Sequence, residues 1–521
     1  MRRLLLAATL AAAVAGCDSA LDPEPFGIET VENLLSSPEG AVTWSNGFYQ
    51  PLSGLYGSFG ASMITVLESG TDDGWPFAQF AEGFKSRDIT GGENEIQSIW
   101  SKSLGDGIGR ANTYLATEGD IDWTDQGALR DQLRGEAHFF RAFYYFNLVR
   151  LFGDVPIYTE PVLSVGDAQL PRSPTADVYA LIKSDLAEAV ALLPESHPNS
   201  GLGGERGRVT SGAARTVLGK VHLTLEEWQA VLDATGPTVG AYSLEDEYVD
   251  NFYGLILDTS GENEGEAIFE VQFSEDPNGP RHQIRPSFVP RDVRDGQNQI
   301  IPTDARYLDN EEGAAGPNAF VQAVDTSDAR FDVLLSLYPE DRRQLPQTSL
   351  LPLYDEDGEV VRDADGDVVF QREYFVRKWW SDVSNQDTRW NVPLFRYAEV
   401  LLMRAEALNE LGRTAEALAL VDQVRERAEL DPLASDAAPD DQGSVREAVY
   451  RERRIEFAFE FKRLFDLNRW GRLPAAVAAQ GVTIAAGKVT PHPITGKPQV
   501  LYPIPQSELI RNPNATQNAG Y

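Results

Sequence analysis

Cysteine occurs once in the 521 residues, at Cys17, so no disulfide can close within the chain and no cysteine-based metal site can form. Histidine is almost as scarce, and His138, His197, His222, His282 and His492 lack the spacing of a zinc site. Long apolar runs are missing too. Leu4 to Val14 is apolar but short, and no later stretch reaches the roughly 18 apolar residues that a membrane-spanning helix needs. Lysine supplies only 8 of the 45 basic residues, which face 80 acidic ones, for a net charge of −35. A surface of that sign repels nucleic acid and anionic lipid. The acids are spread along the whole chain, which fits a salty medium that screens their repulsion better than it fits one acidic patch.

What is present begins with a leader pattern. Arg2 and Arg3 precede the apolar stretch Leu4 to Val14, and Val14-Ala15-Gly16-Cys17 reads as a small-residue cleavage site. Residues 1–16 are thus expected to be a signal peptide. Cys17 stands where a bacterial lipoprotein signal peptidase would leave it as the new N-terminus, with Val14 in place of the commoner Leu. Lipidation at Cys17 would add several acyl chains, enough for stable anchoring where one chain is marginal. Asp18 to Pro25 then reads as a short acidic tether.

Residues 17–521 read as one domain, mainly α. The chain is organised around Pro393 to Glu429, two helices joined at Leu411-Gly412-Arg413. Leu394, Ala398, Leu401, Ala405 and Leu408 form one apolar stripe, and Tyr397, Val400, Ala407 and Leu411 a second, so the first helix is covered on two sides. Gly412 supplies a left-handed stop, and Thr414 is expected to cap the next helix. Small Ala residues let such helices approach closely, as in tetratricopeptide-type hairpins that stack side by side. Ala128 to Tyr158 gives another two-striped helix, with Phe139, Phe143 and Phe146 on one side and Phe140 and Tyr144 on the other. Thr175 to Leu193 is its partner, and Val209 to Ala234 another hairpin. The scaffold is therefore placed mainly at 128–236 and 393–472, with an irregular insertion at 237–392.

Within that insertion, Glu266 to Phe273 alternates like a strand. Tyr354 to Phe370 holds two Asp-Gly turns between Val pairs, the pattern of consecutive β-hairpins. Asp363, Asp365 and Asp367 are an incomplete calcium loop, with Gly366 at the fourth position and no Glu at the twelfth, so hairpin turns are preferred. An irregular stretch of this length in a compact protein is usually functional. Further on, Ser444 to Arg472 reads as one helix carrying Arg453 with Glu456, Glu460 with Arg463 and Asp466 with Arg469, each three apart. Carboxylates alternating with Arg in this way are expected to orient the helix rather than to perform acid–base chemistry.

Four blocks together resemble the SusD/RagB family of nutrient-binding lipoproteins: RGEAHFFRAFYYFNLVRLFGDVPIY, NVPLFRYAEVLLMRAEALNELG, YRERRIEFAFEFKRLFDLNRWGRL and YPIPQSELIRNPNATQNAGY. They come in the family's order and, with Cys17, span nearly all of the mature chain. The resemblance implies four tetratricopeptide-like pairs, an irregular half that carries the ligand site, and a surface-exposed place on the cell outer membrane. It also implies a SusC-like TonB-dependent transporter as partner, over which the lipoprotein acts as a hinged lid, and oligosaccharides or, in some members, peptides as ligands. Candidate ligand residues are Asp72 and Asp73, to bind sugar hydroxyls, and Trp75, to stack on a pyranose face. Trp379, Trp380 and Trp390 are further candidates, although adjacent Trp379 and Trp380 in an extended segment point oppositely. Trp44, Trp100, Trp228 and Trp470 lie in helical blocks and are assigned to packing. No cofactor or metal is expected, and no motif places the facing carboxylate pair of a glycoside hydrolase. The alternative architecture is a tetratricopeptide-type adaptor binding peptides or proteins along its groove.

Overall fold

The computed structural model describes residues 30–57, 62–76, 79–195, 207–252, 391–433 and 441–521, and, between 263 and 390, residues 263, 265–273, 284, 300–302, 324, 328–330, 334–338, 362, 373–376, 378–379 and 390. Besides short helices at Val31–Leu34, Leu473–Ala478 and Gln506–Arg511, the α-helices among the described residues are, in chain order, α1 (Pro38–Tyr56), α2 (Ser62–Glu68), α3 (Gln79–Ser86), α4 (Asn94–Trp100), α5 (Gly109–Thr117), α6 (Gly127–Phe152), α7 (Thr175–Leu192), α8 (Ser211–Thr224), α9 (Trp228–Thr235), α10 (Tyr397–Glu410), α11 (Thr414–Arg427), α12 (Gln442–Glu456) and α13 (Arg463–Arg469). A π-helical turn, Ser101–Ile108, joins α4 to α5. None of the described helices is long and apolar enough to cross a membrane.

Four helix pairs stack in sequence order: α1 with the α4–α5 run, α6 with α7, α8 with α9, and α10 with α11. α1 also packs on α6, α7 on α8, and α9 on α10, so each pair covers a face that its neighbour leaves open. α6 is the hub. Its two aromatic stripes are both buried, and Phe140 meets Tyr49 of α1 edge-on at 4.4 Å while Phe143 meets Phe395 at 6.0 Å. Gly153 (φ +73°) ends α6 and Gly412 (φ +77°) ends α10, both in the left-handed region that glycine adopts at no steric cost. Trp100 and Trp470 are buried, and Trp44 and Trp228 pack partly buried against the core.

Two sequence expectations are corrected. Thr414 is the first residue of α11 and caps nothing; instead Arg413 and Glu416 form a bidentate pair across the helix start. The single helix expected over 444–472 is two. Asp441 opens it by accepting from the Gly443 and Ser444 N–H groups, and a turn at 457–462 divides α12 from α13. Phe459 and Phe461 in that turn both have left-handed φ, +59° and +64°. Side chains rarely tolerate this, at about 1–3 kcal/mol each, unless their surroundings hold them.

The strands are short and paired in antiparallel twos: β1 (Gly74–Pro76) with β3 (Ile300–Pro302), β2 (Ala267–Val271) with β6 (Val392–Arg396), β4 (Leu335–Tyr338) with β5 (Glu373–Val376), and β7 (Val489–Pro491) with β8 (Pro498–Val500). β2 is the strand that the alternation at 266–273 predicts. The Asp-Gly hairpins of 354–370 and the Asp363–Asp367 motif lie outside the described residues, apart from Arg362. Among the described residues no cluster of His, Cys, Asp and Glu could hold a metal ion.

The last residues close the structure. The Tyr502 N–H donates to Leu151 O (2.8 Å), the Asn518 amide to Phe152 O (2.9 Å), and the Gln506 N–H to Gly91 O (2.8 Å). Arg172 in turn donates to Asn518 Oδ1 (2.6 Å) and Thr516 O (2.9 Å).

Candidate functional site

The irregular half meets the scaffold at a buried cluster of charges. Arg396, at the end of β6, is almost fully enclosed and donates to the carboxylates of Glu266, Glu456 (2.9 Å) and Glu460 (2.8 and 2.9 Å). Arg330 holds Asp328 (2.7 Å), Glu452 (2.6 Å) and Glu456 (3.0 Å), and Arg427 of α11 holds Glu266 (2.9 Å) and Glu456 (2.5 Å). Lys378 donates to Glu460 (2.7 Å) and to Ala458 O (2.8 Å). The strained turn serves this cluster. It aims Glu460 at Arg396 and Lys378, and it offers Phe459 O to the Trp379 indole N–H (3.0 Å). Burial pushes the Glu460 carboxyl up, but Arg396, Lys378 and Lys462 together bring it down to about 2.

The ion network expected on 444–472 therefore exists, but with other partners. Only Asp466 and Arg469 pair at spacing three (2.9 Å). Arg453 binds Asp466 and not Glu456, Glu460 binds Arg396 and Lys378 and not Arg463, and Arg463 reaches Asp72. Removing one member of such a buried group typically costs about 3–5 kcal/mol, because its mate stays behind unpaired.

Asp72 and Asp73 belong to the interior, a correction to their expected place at a ligand face. They are 3% and 0% exposed. Asp72 takes both nitrogens of the Arg463 fork (2.7 and 2.8 Å), and Asp73 takes Arg454 (2.6 Å). Burial opposes ionisation of Asp72, yet Arg463 and Arg454 hold its carboxyl well below the usual range. Burial keeps Asp73 above its ordinary value, with help from the nearby Asp72 charge, and Arg454 and Arg463 offset it only in part. The two carboxylates are spent on the scaffold.

What they do is fix the strand that follows. Thr71 Oγ1 accepts from the Asp73 and Gly74 N–H groups (3.2 and 3.3 Å), and buried Lys85 donates to Thr71 O and Gly74 O (both 2.9 Å). Arg87 donates to Gly70 O (3.3 Å). From this anchored loop β1 leads out, with Trp75 opposite Ile301 of β3. A short strand, pinned on one side to α12 and α13 and paired on the other to the irregular half, carries Trp75.

The other candidates divide. Trp379 is 8% exposed, stacks on Phe461 (6.1 Å, 18°) and meets Phe252 edge-on, so it is a core residue and not a platform. Trp390 is also buried, and its indole N–H has no partner among the described residues. Trp380 and Cys17 lie outside the described residues. Sequence reading missed Glu266, Arg330, Lys378, Arg396 and Arg427, for which one signal was available: Arg396 interrupts the apolar run VPLFRYAEV, where a charge needs buried partners.

Stacked helix pairs with an irregular half docked through a buried ion cluster define a tetratricopeptide-like class of protein. The particular family follows from comparison: the model of the SusD family matches residues 230–521, over half of the chain, and the chain belongs to that family. A second model, described as starch-binding associating with outer membrane, matches residues 77–223, which places the chain among proteins associated with that membrane. A SusD-like protein of Formosa agariphila is 27% identical, over 97% of this chain and 96% of its own. Among solved structures, a laminarin-binding SusD-like protein superposes with a TM-score of 0.69 at 24% identity, covering 92% of this chain and 99% of its own. A surface glycan-binding protein of Bacteroides fluxus superposes with a TM-score of 0.68 at 21% identity, covering 92% and 99%. At these identities the two structures speak for the fold alone.

Proposed function

We propose that this chain is a surface-exposed lipoprotein, anchored through Cys17, that binds a neutral oligosaccharide and delivers it to a SusC-like TonB-dependent transporter of the outer membrane. Family membership supports the class of function, and the names of the laminarin-binding and glycan-binding structural neighbours support a saccharide as ligand. The observation that carries the site is the pinned strand. Asp72, Asp73 and Lys85 hold the backbone of residues 70–74 in place, so that the strand carrying Trp75 starts from a fixed base. An aromatic on a fixed backbone suits a sugar, whose CH faces are apolar while its edges are polar, because little backbone freedom is lost on binding. The chain's catalytic role is read as none: it binds and hands over.

The test is calorimetry with a panel of neutral oligosaccharides. Trp75→Ala is expected to weaken binding by about 2 kcal/mol, roughly thirtyfold, with the melting temperature nearly unchanged. Full affinity in that variant would move the platform away from Trp75. Binding of peptides and of no saccharide would replace the reading by peptide uptake. For the anchor, Cys17→Ser should release the protein from the membrane fraction, and protease treatment of intact cells should cleave the wild-type protein.

A further inference from the structure

Away from β1 and the ion cluster, the link between α6 and α7 shows apolar side chains to solvent. Val162, Leu163, Val165 and Leu170 are all exposed, Leu163 at 87% and Val165 at 76%. Ile510, on the short helix Gln506–Arg511, is 73% exposed and is brought beside them. The Gln169 amide donates to Arg511 O (2.8 Å), the Asn512 amide to Leu170 O (2.8 Å) and the Asn514 amide to Gln169 O (2.6 Å). Five of the nine exposed large apolar side chains among the described residues thus gather in one place. Scattered exposed aliphatics need no explanation, whereas a gathered patch of a few hundred Å² marks an interaction site.

The loop that carries the patch is tied down from within. Asp167 Oδ2 accepts from the Leu163 and Ser164 N–H groups (3.2 and 2.8 Å), Ser164 Oγ from the Asp167 N–H (3.3 Å), and Gly166 O from the Gln169 N–H (3.1 Å). At its base the Asn112 amide donates to Tyr158 O (2.8 Å), and the Tyr158 hydroxyl to Ala168 O (2.7 Å). Backbone groups near the tip therefore have partners that do not depend on water, and little freedom is lost when the loop docks. Asp167 is spent inside the loop, and Glu508 accepts from the Asn512 amide (2.8 Å). Glu160 and Arg511 remain at the rim, one charge of each sign. An apolar centre inside a polar rim is the make-up of a protein interface. Residues 159–174 hold no aromatic ring to stack on a sugar, and no Trp, Tyr or Lys to seat a loop among lipid headgroups.

We infer that this patch is the face that docks on the transporter barrel, and that it seats in a neutral aliphatic hollow on the barrel's outward surface. The inference rests on the transporter reading and adds where the contact is made and by what chemistry. Size favours a partner in the same membrane. A patch of a few hundred Å² falls short of the roughly 800 Å² per partner that a stable complex needs when it forms from free solution. An anchor at Cys17 would hold the chain beside the barrel, and the raised effective concentration lets a smaller apolar contact suffice. A second copy is disfavoured, since it brings another −35 to the contact and salt screens that repulsion only in part. Trp75 is on neither the loop nor the short helix, so docking and sugar binding are separable.

Purification of the full lipidated chain from detergent-solubilised outer membrane tests this, with its companions identified by mass spectrometry. Leu163→Asp combined with Val165→Asp should cut the recovered barrel about tenfold, because a carboxylate would enter an apolar seat. Leu411→Asp, at an exposed leucine at the end of α10, should leave recovery unchanged. These side chains are exposed, so the melting temperature and neutral-oligosaccharide binding should stay at wild-type values. A benzophenone amino acid in place of Leu163 should, on illumination, form adducts with barrel peptides. If the double variant melts lower, that adduct carries the test. The inference is overturned if the double variant keeps the barrel, if Leu411→Asp loses it equally, or if the adducts are with a second copy or with lipid alone. A wild-type chain that recovers no barrel overturns the transporter reading as well, which tells the two failures apart.

Discussion

Two arginines sit inside this molecule under opposite conditions. Arg396, at the junction of the irregular half with the scaffold, has its donors taken by Glu266, Glu456 and Glu460, and these carboxylates overcome burial to hold its proton far more tightly than usual. Arg150, near the end of α6, lies between the rings of Phe146 and Phe465 and donates to two neutral acceptors, Phe146 O and Asn147 Oδ1, and burial weakens its hold on the proton although Glu399 and Asp466 act against that from a distance. In a low-dielectric setting a charge must be matched or must reach something that can match it. The junction is matched from within and is structure. Arg150 is matched only in part, by Glu399 and Asp466 acting without contact, and is held by rings and dipoles rather than by an ion pair.

The comparison can be broken most forcefully at the junction. Arg396→Met would leave Glu266, Glu456 and Glu460 facing one another without their shared cation. The expected loss exceeds about 4 kcal/mol, enough to remove most folded protein, as measured by denaturant titration. Glu460→Ala should cost about 3–5 kcal/mol by the same measurement. A variant with unchanged melting but abolished ligand binding would reverse the assignment of this cluster to the fold.

Next in size is a pH effect at the turn that serves the junction. Burial raises the Glu68 carboxyl from 4.5 to about 8, against the Phe461 N–H that it accepts and with help from Asp73. The unfolded chain gives up this proton near its ordinary value, while the folded chain keeps it. The stability that Glu68 contributes is therefore complete below about 4.5 and is lost as pH rises through about 8. Glu68→Gln should be free of that loss, so its advantage over wild type should grow with pH by at most about 1.4 kcal/mol per unit. A constant difference across that window would mean that Glu68 is ionised throughout.

At Arg150 the effect on stability should be smaller. Arg150→Met gives up two cation–π contacts and two hydrogen bonds but strands no carboxylate, and should cost about 1–2 kcal/mol. A loss equal to that of Arg396→Met would reveal a carboxylate partner and end the comparison. Smallest of all, Arg413→Ala removes a solvent-exposed pair with Glu416 and should leave the melting temperature unchanged within error.

The helical pairs were legible because each carries apolar residues at helical spacing on two sides, a local pattern that survives in one dimension. The break at 457–462 was not, since EFAFEFK has no Gly or Pro and only tertiary partners hold Phe459 and Phe461 in left-handed conformation. The charge pairs failed for a related reason. Spacing of three names neighbours on one helix, but buried arginines take the acids that enclose them best, and those come from residues up to 391 positions away, as with Arg463 and Asp72. The same holds at the loop ESGTDDGWPF, where polarity was read as exposure and the two aspartates proved to be its anchors.

The stitching of residues 502–518 onto Gly91, Leu151, Phe152 and Arg172 bears on time as well as on shape. A chain that emerges from its N-terminus makes α6 early, yet the carbonyls at the end of that helix wait for partners some 350 residues later. Closing loops of that span is slow, and the first half cannot finish alone. A polypeptide built in this way would thus remain open through most of its synthesis, and would lock only once its final segment arrives.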